Sequence, residues 1–394
     1  MNPIGRSPDA IVVGLGAMGS AALAQLAKAG ARVLGFDRFS PPHSFGSSHG
    51  ETRITRLAIA EGSDNVPLVL RSHQLWRELE SATGMELLSE CGGLTMAVPS
   101  GGGRLHGVDN YLDRVRSVAR QFAIEHENLG AEQIARRFPQ FDLVGDEDGY
   151  YEPASGFLRP ERCIAAQLQL ASEHGAELRL GEPVTAYAST GDGVAVTTDS
   201  GSFRAGQLIL AAGPWIGALL PEYRDFFRVY RQVAFWFALK DAAAYERYRQ
   251  LPIYIWETGH GAEDLIYGFP AIDGPYGGAK VATEQYVTTT DADELEREVR
   301  PEEIEAMYER FVRRRLPGLD RRCLKATACM YTVTPDSRFV IDRHPEHENV
   351  LVVSACSGHG FKHSPAIGEA IAQLAIGGRS ELDLSGFSLT RLTR

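Results

Sequence analysis

The sequence predicts an α/β fold, α+β overall, in which a Rossmann-type domain with a parallel sheet is interleaved with a second domain built on a mixed β-sheet. An apolar run at 10–13 leads into glycines, a helical segment and a second apolar run at 32–36, which is the order of a βαβ unit. A strand, turn and helix pattern returns at 349–376. The stretch 215–325 is instead richer in aromatic and charged residues, which indicates a different architecture.

Length and turn signals predict how the two domains divide the chain. A chain of 394 residues is too long for one ordinary hydrophobic core. Glycines at 191–193 predict a hairpin between strands near 182–187 and 194–198, and 207–212 predicts a further strand. The stretch 291–315 predicts a helix, and glycines at 100–103 predict a mobile loop. We assign residues 1–88, 150–217 and 328–394 to the Rossmann-type domain and residues 89–149 and 218–327 to the second domain.

Composition excludes several classes of function. A formal net charge of −11 argues against a nucleic-acid or anionic-membrane binder, because such partners need a basic face. The five cysteines have no CxxC spacing, so neither a disulfide framework nor a zinc site is expected. His344 and His347 are not expected to bind a metal, because Pro345 forbids a helical HxxH. With no signal sequence or long apolar run, we expect a cytoplasmic protein without a membrane span.

The first glycines form a dinucleotide fingerprint. Gly14, Gly16 and Gly19 follow the first strand and open the helix, and Asp37 ends the second strand. Gly14 permits the sharp turn, Gly16 lets the backbone approach a pyrophosphate, and Gly19 allows close packing of the helix on the strand. Asp37 can accept hydrogen bonds from an adenosine ribose. The fingerprint alone does not separate FAD from NAD.

A cluster of basic residues follows the second strand. Ser48 and Glu51 have the spacing of a capping box, which predicts that a helix begins there. His49, Arg53 and Arg56 would then share one face of that helix. Such clustering is costly unless an anion lies opposite, so we expect an anion-binding site. The alternative is a solvated basic face paired with surface acids.

Several blocks of the sequence resemble one family. They lie at 36–56, 267–270, 329–336, 339–347 and 357–362 and include Cys329-Met330-Tyr331-Thr332 and Gly358-His359-Gly360-Phe361-Lys362. They resemble the monomeric sarcosine oxidases and N-methyltryptophan oxidases, within the D-amino-acid-oxidase-like flavoproteins. The blocks follow the family order along nearly the whole chain, and the middle domain matches least.

The resemblance implies FAD as the cofactor, carried by Cys329 as an 8α-S-cysteinyl thioether. The chemistry is plausible because a thiolate is a strong nucleophile, although most free cysteines are only small buried residues. His49 and Arg53 would lie beside the flavin, and Arg56, Lys362 and Tyr267 would bind the substrate. The cofactor contacts implied in this way are Gly14, Gly16, Ala17, Met18, Gly19, Asp37, Arg38, Ser47, Ser48, Arg53, Val184, Cys329, Gly358, Gly360 and Lys362.

Two further positions bear on catalysis. By the same resemblance Lys280 would sit near flavin N5 and activate dioxygen, since a preorganised cation stabilises superoxide. An exposed loop lysine is the alternative. Glu284 stands where the family commonly has a histidine. The alternatives are that its carboxylate faces the substrate amine or that it faces a basic side chain, and either one weakens the case for sarcosine itself as the substrate.

The sequence therefore predicts a monomeric FAD-dependent oxidase of an N-methyl amino acid. Hydride transfer to flavin N5 would give an imine that water hydrolyses to formaldehyde and the amino acid, and dioxygen would become hydrogen peroxide. The alternatives are an oxidase of cyclic or glycated amino acids, such as pipecolate or fructosyl amino acids, and a flavin-dependent dehydrogenase with another electron acceptor. A third is a nucleotide-binding regulatory protein that has lost turnover.

Overall fold

A six-stranded sheet carries the predicted βαβ unit. The computed structural model describes residues 7–98, 104–259, 261 and 263–393. The strands of this sheet lie in the order Glu177–Leu180, Val33–Asp37, Ala10–Val13, Gln207–Leu210, His347–Ser354 and Val340–His344. The first five are mutually parallel, and the last is antiparallel to its neighbour. Both ends of the chain therefore build one sheet, as the sequence predicts.

The side chains of the first strand alternate between two buried layers, as the period of a β-strand requires. Ala10 and Val12 pack into a core with the long helices, and Ile11 and Val13 pack against a small antiparallel sheet. The helices are Ala17–Lys28, Asn65–Thr83, Pro160–Glu173 and Ser364–Gly377. The small sheet is Ala186–Thr190, Gly193–Thr198 and Gly201–Ala205.

An eight-stranded mixed sheet forms the other large layer. Its order is Leu319–Val333, Arg228–Leu239, Ala279–Ala282, Leu265–Gly268, Ile253–Glu257, Gly93–Ala97, Asp148–Glu152 and Glu127–Gly130. Only the pair Ile253–Glu257 and Gly93–Ala97 is parallel. Helical segments at Ala131–Arg137, Ala242–Tyr248 and Pro301–Met307 supply residues to the core on this sheet.

Shorter elements connect the two large sheets. Arg53–Thr55, Gly156–Leu158 and Leu88–Glu90 form a three-stranded sheet, and Arg104–Leu105 with Val108–Asp109 forms a hairpin that holds His106 in its turn. The remaining helices are Tyr111–Gln121, Ile216–Leu219, Arg313–Arg315, a π-helical turn Tyr308–Val312, and 3₁₀ segments at Gly213–Trp215, Pro221–Phe226, Phe361–His363, Ser385–Phe387 and Leu389–Thr393.

The helix predicted from Ser48 and Glu51 is wrong. Gly50 and Glu51 have φ of +98° and +69°, outside the right-handed helical region, and Arg53–Thr55 is a strand. The N–H groups of Gly50 and Glu51 donate to Glu161 Oε1 at 2.7 and 3.1 Å instead of opening a helix. His49, Arg53 and Arg56 therefore do not share a helical face.

The helix predicted at 291–315 begins later than expected, at Pro301. Arg231 explains the delay, because it binds the carbonyl oxygens of Glu296 and Glu298 at 2.7 and 2.9 Å and holds that segment extended. The loop predicted at 100–103 lies outside the described residues.

Candidate active site

The glycine fingerprint has the close packing that its spacing predicts. Gly14 has φ +86°, and a Cβ there would lie 2.5 Å from the carbonyl oxygen of Ala211. A Cβ at Gly19 would lie 1.6 Å from the carbonyl oxygen of Gly14. At Gly16 the nearest atom to a Cβ would be Ser48 Oγ at 3.7 Å, so the backbone stays open to a ligand. Helix Ala17–Lys28 begins at this open backbone without a side-chain cap.

Asp37 joins the fingerprint to the second strand through its carboxylate. Its Oδ2 accepts from the N–H of Leu15 and its Oδ1 from the N–H of Phe39, both at 2.8 Å. Arg38 beside it forms an ion pair with Asp293 at 3.0 Å, and its guanidinium lies 4.7 Å from the Trp215 ring centroid. Two main-chain donors thus fix the carboxylate of Asp37, and His43 Nε2 lies 3.6 Å from its Oδ1.

A cavity of about 440 Å³ extends from this fingerprint to a group of buried charged side chains. Most of the predicted site residues line it: Gly14, Gly16, Ala17, Met18, Asp37, Arg38, Ser47, Ser48, Arg53, Arg56, Val184, Tyr267, Glu284, Gly358, Gly360 and Lys362. Gly19, His49, Lys280 and Cys329 are buried but do not belong to its wall.

Cys329 lies beside two basic residues. Its sulfur accepts a hydrogen bond from Arg53 Nη2 at 3.7 Å and lies 3.5 Å from the carbonyl oxygen of Ser47. Burial raises the pKa of the Cys329 thiol, but His49 and Arg53 outweigh it and lower that pKa to about 6. The thiolate therefore predominates near neutral pH.

Lys280 is a buried strand residue and not an exposed loop lysine. Its ammonium donates to the carbonyl oxygens of Gly50 and Thr52 at 2.7 and 3.1 Å. Burial and the charge of Arg53 lower the pKa of Lys280 well below its ordinary value, while the hydrogen bonds to oxygen favour the charged form.

The far end of the cavity contains a row of alternating charges. Arg56 Nη2 lies 2.7 Å from Glu61 Oε1, and the same oxygen accepts from His106 Nδ1 at 2.7 Å. His106 Nε2 reaches Glu284 Oε2 at 3.0 Å. Burial lowers the pKa of His106, but Glu284 and Glu61 raise it to about 9, so the imidazole is protonated at neutral pH. Arg56 therefore has a carboxylate partner within the chain.

Glu284 accepts hydrogen bonds from three neighbouring side chains. It accepts from Tyr286 at 2.7 Å and from Tyr331 at 3.3 Å in addition to His106. The Tyr331 hydroxyl lies 3.5 Å from that of Tyr267, whose pKa burial and Glu284 raise to about 12. Glu284 is therefore the centre of a polar wall.

Lys362 differs from the other buried cations at this end. Its ammonium donates to the carbonyl oxygen of His359, and no carboxylate of the described residues lies within 4.0 Å of it. Burial and the charge of Arg56 lower the pKa of Lys362 to about 7. An anion in the cavity would raise that pKa again.

Glu61 and His106 are two residues of this site that the sequence does not predict. Neither lies in a recognisable motif, and each comes from a segment that no spacing rule connects to Arg56 or Glu284. The turn that presents His106 gives it φ +49°. The missing family histidine at position 284 could have prompted a search for another histidine nearby in space. Sequence alone does not show which histidine that is.

Two other expectations concern metal binding and a membrane span, in the part of the chain that the structure describes. No group of three or more His, Cys, Asp or Glu side chains is placed to hold a metal ion there. His344 instead pairs with Glu222 at 2.7 Å and stacks on His347 at 4.6 Å between ring centroids. No described helix has the length and apolarity needed to cross a membrane.

Comparison with known proteins identifies the family. A model of the family DAO, described as FAD dependent oxidoreductase, matches residues 9–374. The chain belongs to this family. It is 42% identical over 385 residues to the monomeric sarcosine oxidase of Streptomyces avermitilis, covering 98% of this chain and 97% of that protein. It is 35% identical over 387 residues to the N-methyl-L-tryptophan oxidase of Salmonella agona, covering 98% and 99%.

The solved structure of NikD, an unusual amino acid oxidase essential for nikkomycin biosynthesis, is similar over 98% of both chains. Its TM-score is 0.83 at 27% identity. These findings confirm the family, the fold class and the FAD requirement predicted from the sequence.

FAD fits the nucleotide end of the cavity. Open backbone at Gly16, the uncapped helix start and the buried carboxylate of Asp37 supply what a dinucleotide needs. Near Cys329, the Nε2 atom of His49 and the Oγ atom of Ser47 are buried without a hydrogen-bond partner among the described residues. Both atoms are therefore available to a polar edge of the bound cofactor.

Proposed function

We propose that this FAD-dependent oxidoreductase oxidises the secondary amine of an N-methyl amino acid. The substrate, dioxygen and water would give the primary amino acid, formaldehyde and hydrogen peroxide. The named activities of the relatives from Streptomyces avermitilis and Salmonella agona support this reaction.

The observation that carries the proposal is the unpaired cation at the far end of the cavity. Lys362 is buried without a carboxylate partner among the described side chains that surround it, and Arg56 lies close enough to lower its pKa. A buried cation is costly unless an anion joins it. A substrate carboxylate would supply that anion, and Arg56 could bind it with its planar guanidinium.

The chain's own residues would bind and orient the substrate. Bound FAD would supply the acceptor for a hydride from the carbon next to the amine nitrogen and the route of the electrons to dioxygen. Arg56, Lys362 and Tyr267 would fix the carboxylate end, so that the N-methyl group is held in one place. The amine must be neutral to react, and the positive charge at this end favours binding of the free base.

We also propose that Cys329 carries the cofactor as an 8α-S-cysteinyl thioether. The lowered pKa of this thiol supports the proposal, because the thiolate is the nucleophilic form. Denatured, precipitated protein should stay yellow, and Cys329→Ser protein should lose the colour on precipitation. Cys356→Ser is the matched control, since burial raises the pKa of that cysteine and the thiol form persists. Colourless precipitate from the native protein would contradict the tether.

Lys280 is proposed to act on dioxygen, with His49 and Arg53 beside the flavin. Its hydrogen bonds to the carbonyl oxygens of Gly50 and Thr52 fix the position of the amine and favour its charged form, against the lowering of its pKa by burial and by Arg53. Lys280→Met should slow reoxidation of the reduced enzyme far more than its reduction by substrate. Equal slowing of both half-reactions, measured by stopped-flow absorbance, would contradict the assignment.

The reaction itself is tested by product analysis. Purified enzyme is incubated in air with sarcosine, N-methyl-L-tryptophan, pipecolate and a fructosyl amino acid, and formaldehyde and peroxide are measured. We expect both products from an N-methyl substrate. Peroxide without formaldehyde would favour a cyclic or glycated substrate, flavin bleaching without peroxide would favour another electron acceptor, and no bleaching with any amine would favour a regulatory protein.

We propose that the enzyme is a cytoplasmic monomer with two interleaved domains. The name of the Streptomyces relative supports the monomer, and five free cysteines support a reducing compartment. The six-stranded sheet takes all its strands from 1–88, 150–217 and 328–394, which supports that domain. Strands Asp148–Glu152 and Leu319–Val333 cross the proposed boundaries, so the division is only approximate there.

A further inference from the structure

The row Arg56, Glu61, His106 and Glu284 has a balanced charge. Arg56 and His106 are cations, and the pKa of Glu61 is lowered well below its ordinary value because Arg56 and His106 outweigh the effect of burial. Glu284 accepts hydrogen bonds from His106, Tyr286 and Tyr331, which is the pattern of an ionised carboxylate. Within this row, two positive and two negative charges therefore sum to zero; the buried Glu152, which also raises the pKa of Arg56, lies outside the row and accepts hydrogen bonds from the N–H groups of Leu57 and Ala58.

Lys362 is the remaining charge that lines this end of the cavity. Burial lowers the pKa of the neighbouring His359 to about 3, so that imidazole is neutral and adds no charge. With Lys362 protonated, the row and Lys362 together have one positive charge in excess. A ligand with a single carboxylate and a neutral amine would bring the total to zero, whereas a second charge of either sign would stay uncompensated.

Glu284 does not offer a free carboxylate for a cationic side chain of the substrate. Three donors from the chain already occupy it, and one of them is the imidazolium of His106. A substrate cation would have to displace that imidazolium. His106 in turn is bound on its other nitrogen by Glu61, so its position is fixed from both sides.

We propose that Glu61, His106 and Glu284 are specificity-determining residues that confine the enzyme to N-methyl amino acids with an uncharged side chain. The inference rests on the proposed function for its substrates. His106 and Glu284 line the cavity. Glu61 does not line it but pairs with His106 and so balances its charge.

The test removes the negative charge of Glu284 in one variant and the positive charge of His106 in another. Values of kcat/KM are measured near neutral pH for N-methyl-L-alanine, N-methyl-L-aspartate and Nα-methyl-L-lysine. The wild type should prefer N-methyl-L-alanine over both charged substrates by at least about tenfold. Glu284→Gln should raise the relative value for N-methyl-L-aspartate, and His106→Gln should raise it for Nα-methyl-L-lysine, each by about tenfold. The double variant should return to the preference of the wild type.

Opposite shifts are a result that loss of structure alone would not produce. If Glu284 and His106 had only a structural role, both variants would lose kcat/KM by a similar factor for all three substrates, and that outcome overturns the inference. A wild type with equal kcat/KM for the charged and uncharged substrates also overturns it. Glu222→Gln and His344→Gln are matched controls, because this pair has the same 2.7 Å hydrogen bond but His344 lies outside the cavity wall. They should leave the substrate preference unchanged.

A binding measurement separates this inference from the proposed reaction. Calorimetric titration of the holoenzyme with propionate, succinate and 4-aminobutyrate needs no turnover. Propionate should bind at least about tenfold more tightly than either doubly charged ligand. Glu284→Gln should reduce the difference in affinity between propionate and succinate, and His106→Gln should reduce the difference between propionate and 4-aminobutyrate. If no N-methyl amino acid is oxidised but these shifts occur, the proposed reaction fails and the charge selection stands. Equal affinities in all proteins overturn the charge selection.

Discussion

The nucleotide end and the proposed substrate end of the cavity are built by different physical means. At the nucleotide end, Gly14, Gly16 and Asp37 lie within one βαβ unit, and main-chain groups make the contacts. At the other end, charged side chains meet from four separate segments: positions 56 and 61 in one loop, and positions 106, 284 and 362. A short stretch of sequence can encode the first arrangement, whereas only the completed fold creates the second.

The two ends should therefore respond differently to change. Main-chain donors do not titrate, and their positions depend on close packing of helix and strand. Buried charges depend on each other, because removal of one partner leaves the other uncompensated. Steric substitutions should damage the nucleotide end most, and changes of charge or pH should damage the substrate end.

The largest expected effect is steric and lies at the nucleotide end. In Gly19→Ala the new Cβ would lie 1.6 Å from the carbonyl oxygen of Gly14, so helix and strand must separate. We expect a loss of more than about 4 kcal/mol in unfolding free energy and little bound FAD. Thermal unfolding and the ratio of FAD to protein measure both.

Gly377→Ala is the control for that substitution. Gly377 ends a helix, and nothing lies within 4 Å of a Cβ built there. Alanine should leave stability unchanged or raise it by up to about 1 kcal/mol. A Gly19→Ala protein with wild-type FAD content and unfolding temperature would show that the fingerprint does not need this close contact.

The next largest effect should follow from the loss of one charge at the substrate end. Arg56→Met removes the guanidinium that pairs with Glu61 at 2.7 Å, so the carboxylate of Glu61 would repel the substrate carboxylate. We expect KM to rise about 100-fold, equivalent to about 2.8 kcal/mol, with an unchanged flavin spectrum. Steady-state kinetics and absorbance spectra test this.

Arg71→Met provides the matched comparison outside the cavity. Arg71 also pairs with a carboxylate at 2.7 Å, that of Glu369, but its side chain is 32% exposed. We expect a stability change of at most about 1 kcal/mol and no change in KM. A KM for Arg56→Met close to that of the wild type would remove Arg56 from carboxylate binding.

The same contrast explains what the sequence could predict. Regular spacing within one unit predicted the fingerprint, the first two strands and the late strand His347–Ser354, because these depend on local order. The predicted helix at Ser48 failed because Glu161, distant in sequence, takes the N–H groups of Gly50 and Glu51. The resemblance indicated Arg56 and Glu284, but no local pattern connects them through Glu61 and His106.

A pH titration should sharpen the difference between the two ends. The pKa of His106 is raised from 6.5 to about 9 in the folded protein, since Glu284 and Glu61 outweigh the effect of burial. The stability that this provides is full below the ordinary pKa and is lost as pH rises through about 9. We expect the difference in unfolding free energy between wild type and His106→Gln to shrink by about 3 kcal/mol across this window. Urea unfolding at several pH values measures it, and a constant difference would mean that His106 is not held as a cation.

The smallest expected effect is a change of charge at the nucleotide end. Asp37→Asn keeps one acceptor for the N–H groups of Leu15 and Phe39 but turns an NH₂ toward the other, so one main-chain donor loses its partner. In a Cys329→Ser background, where FAD can exchange, we expect FAD affinity to fall by about tenfold. Propionate affinity of the same protein should stay unchanged, because Asp37 lies at the other end of the cavity from Lys362. Should Asp37→Asn alter carboxylate binding as strongly as FAD binding, the two ends would be electrostatically coupled, and the separation between packed backbone and paired charges would not hold.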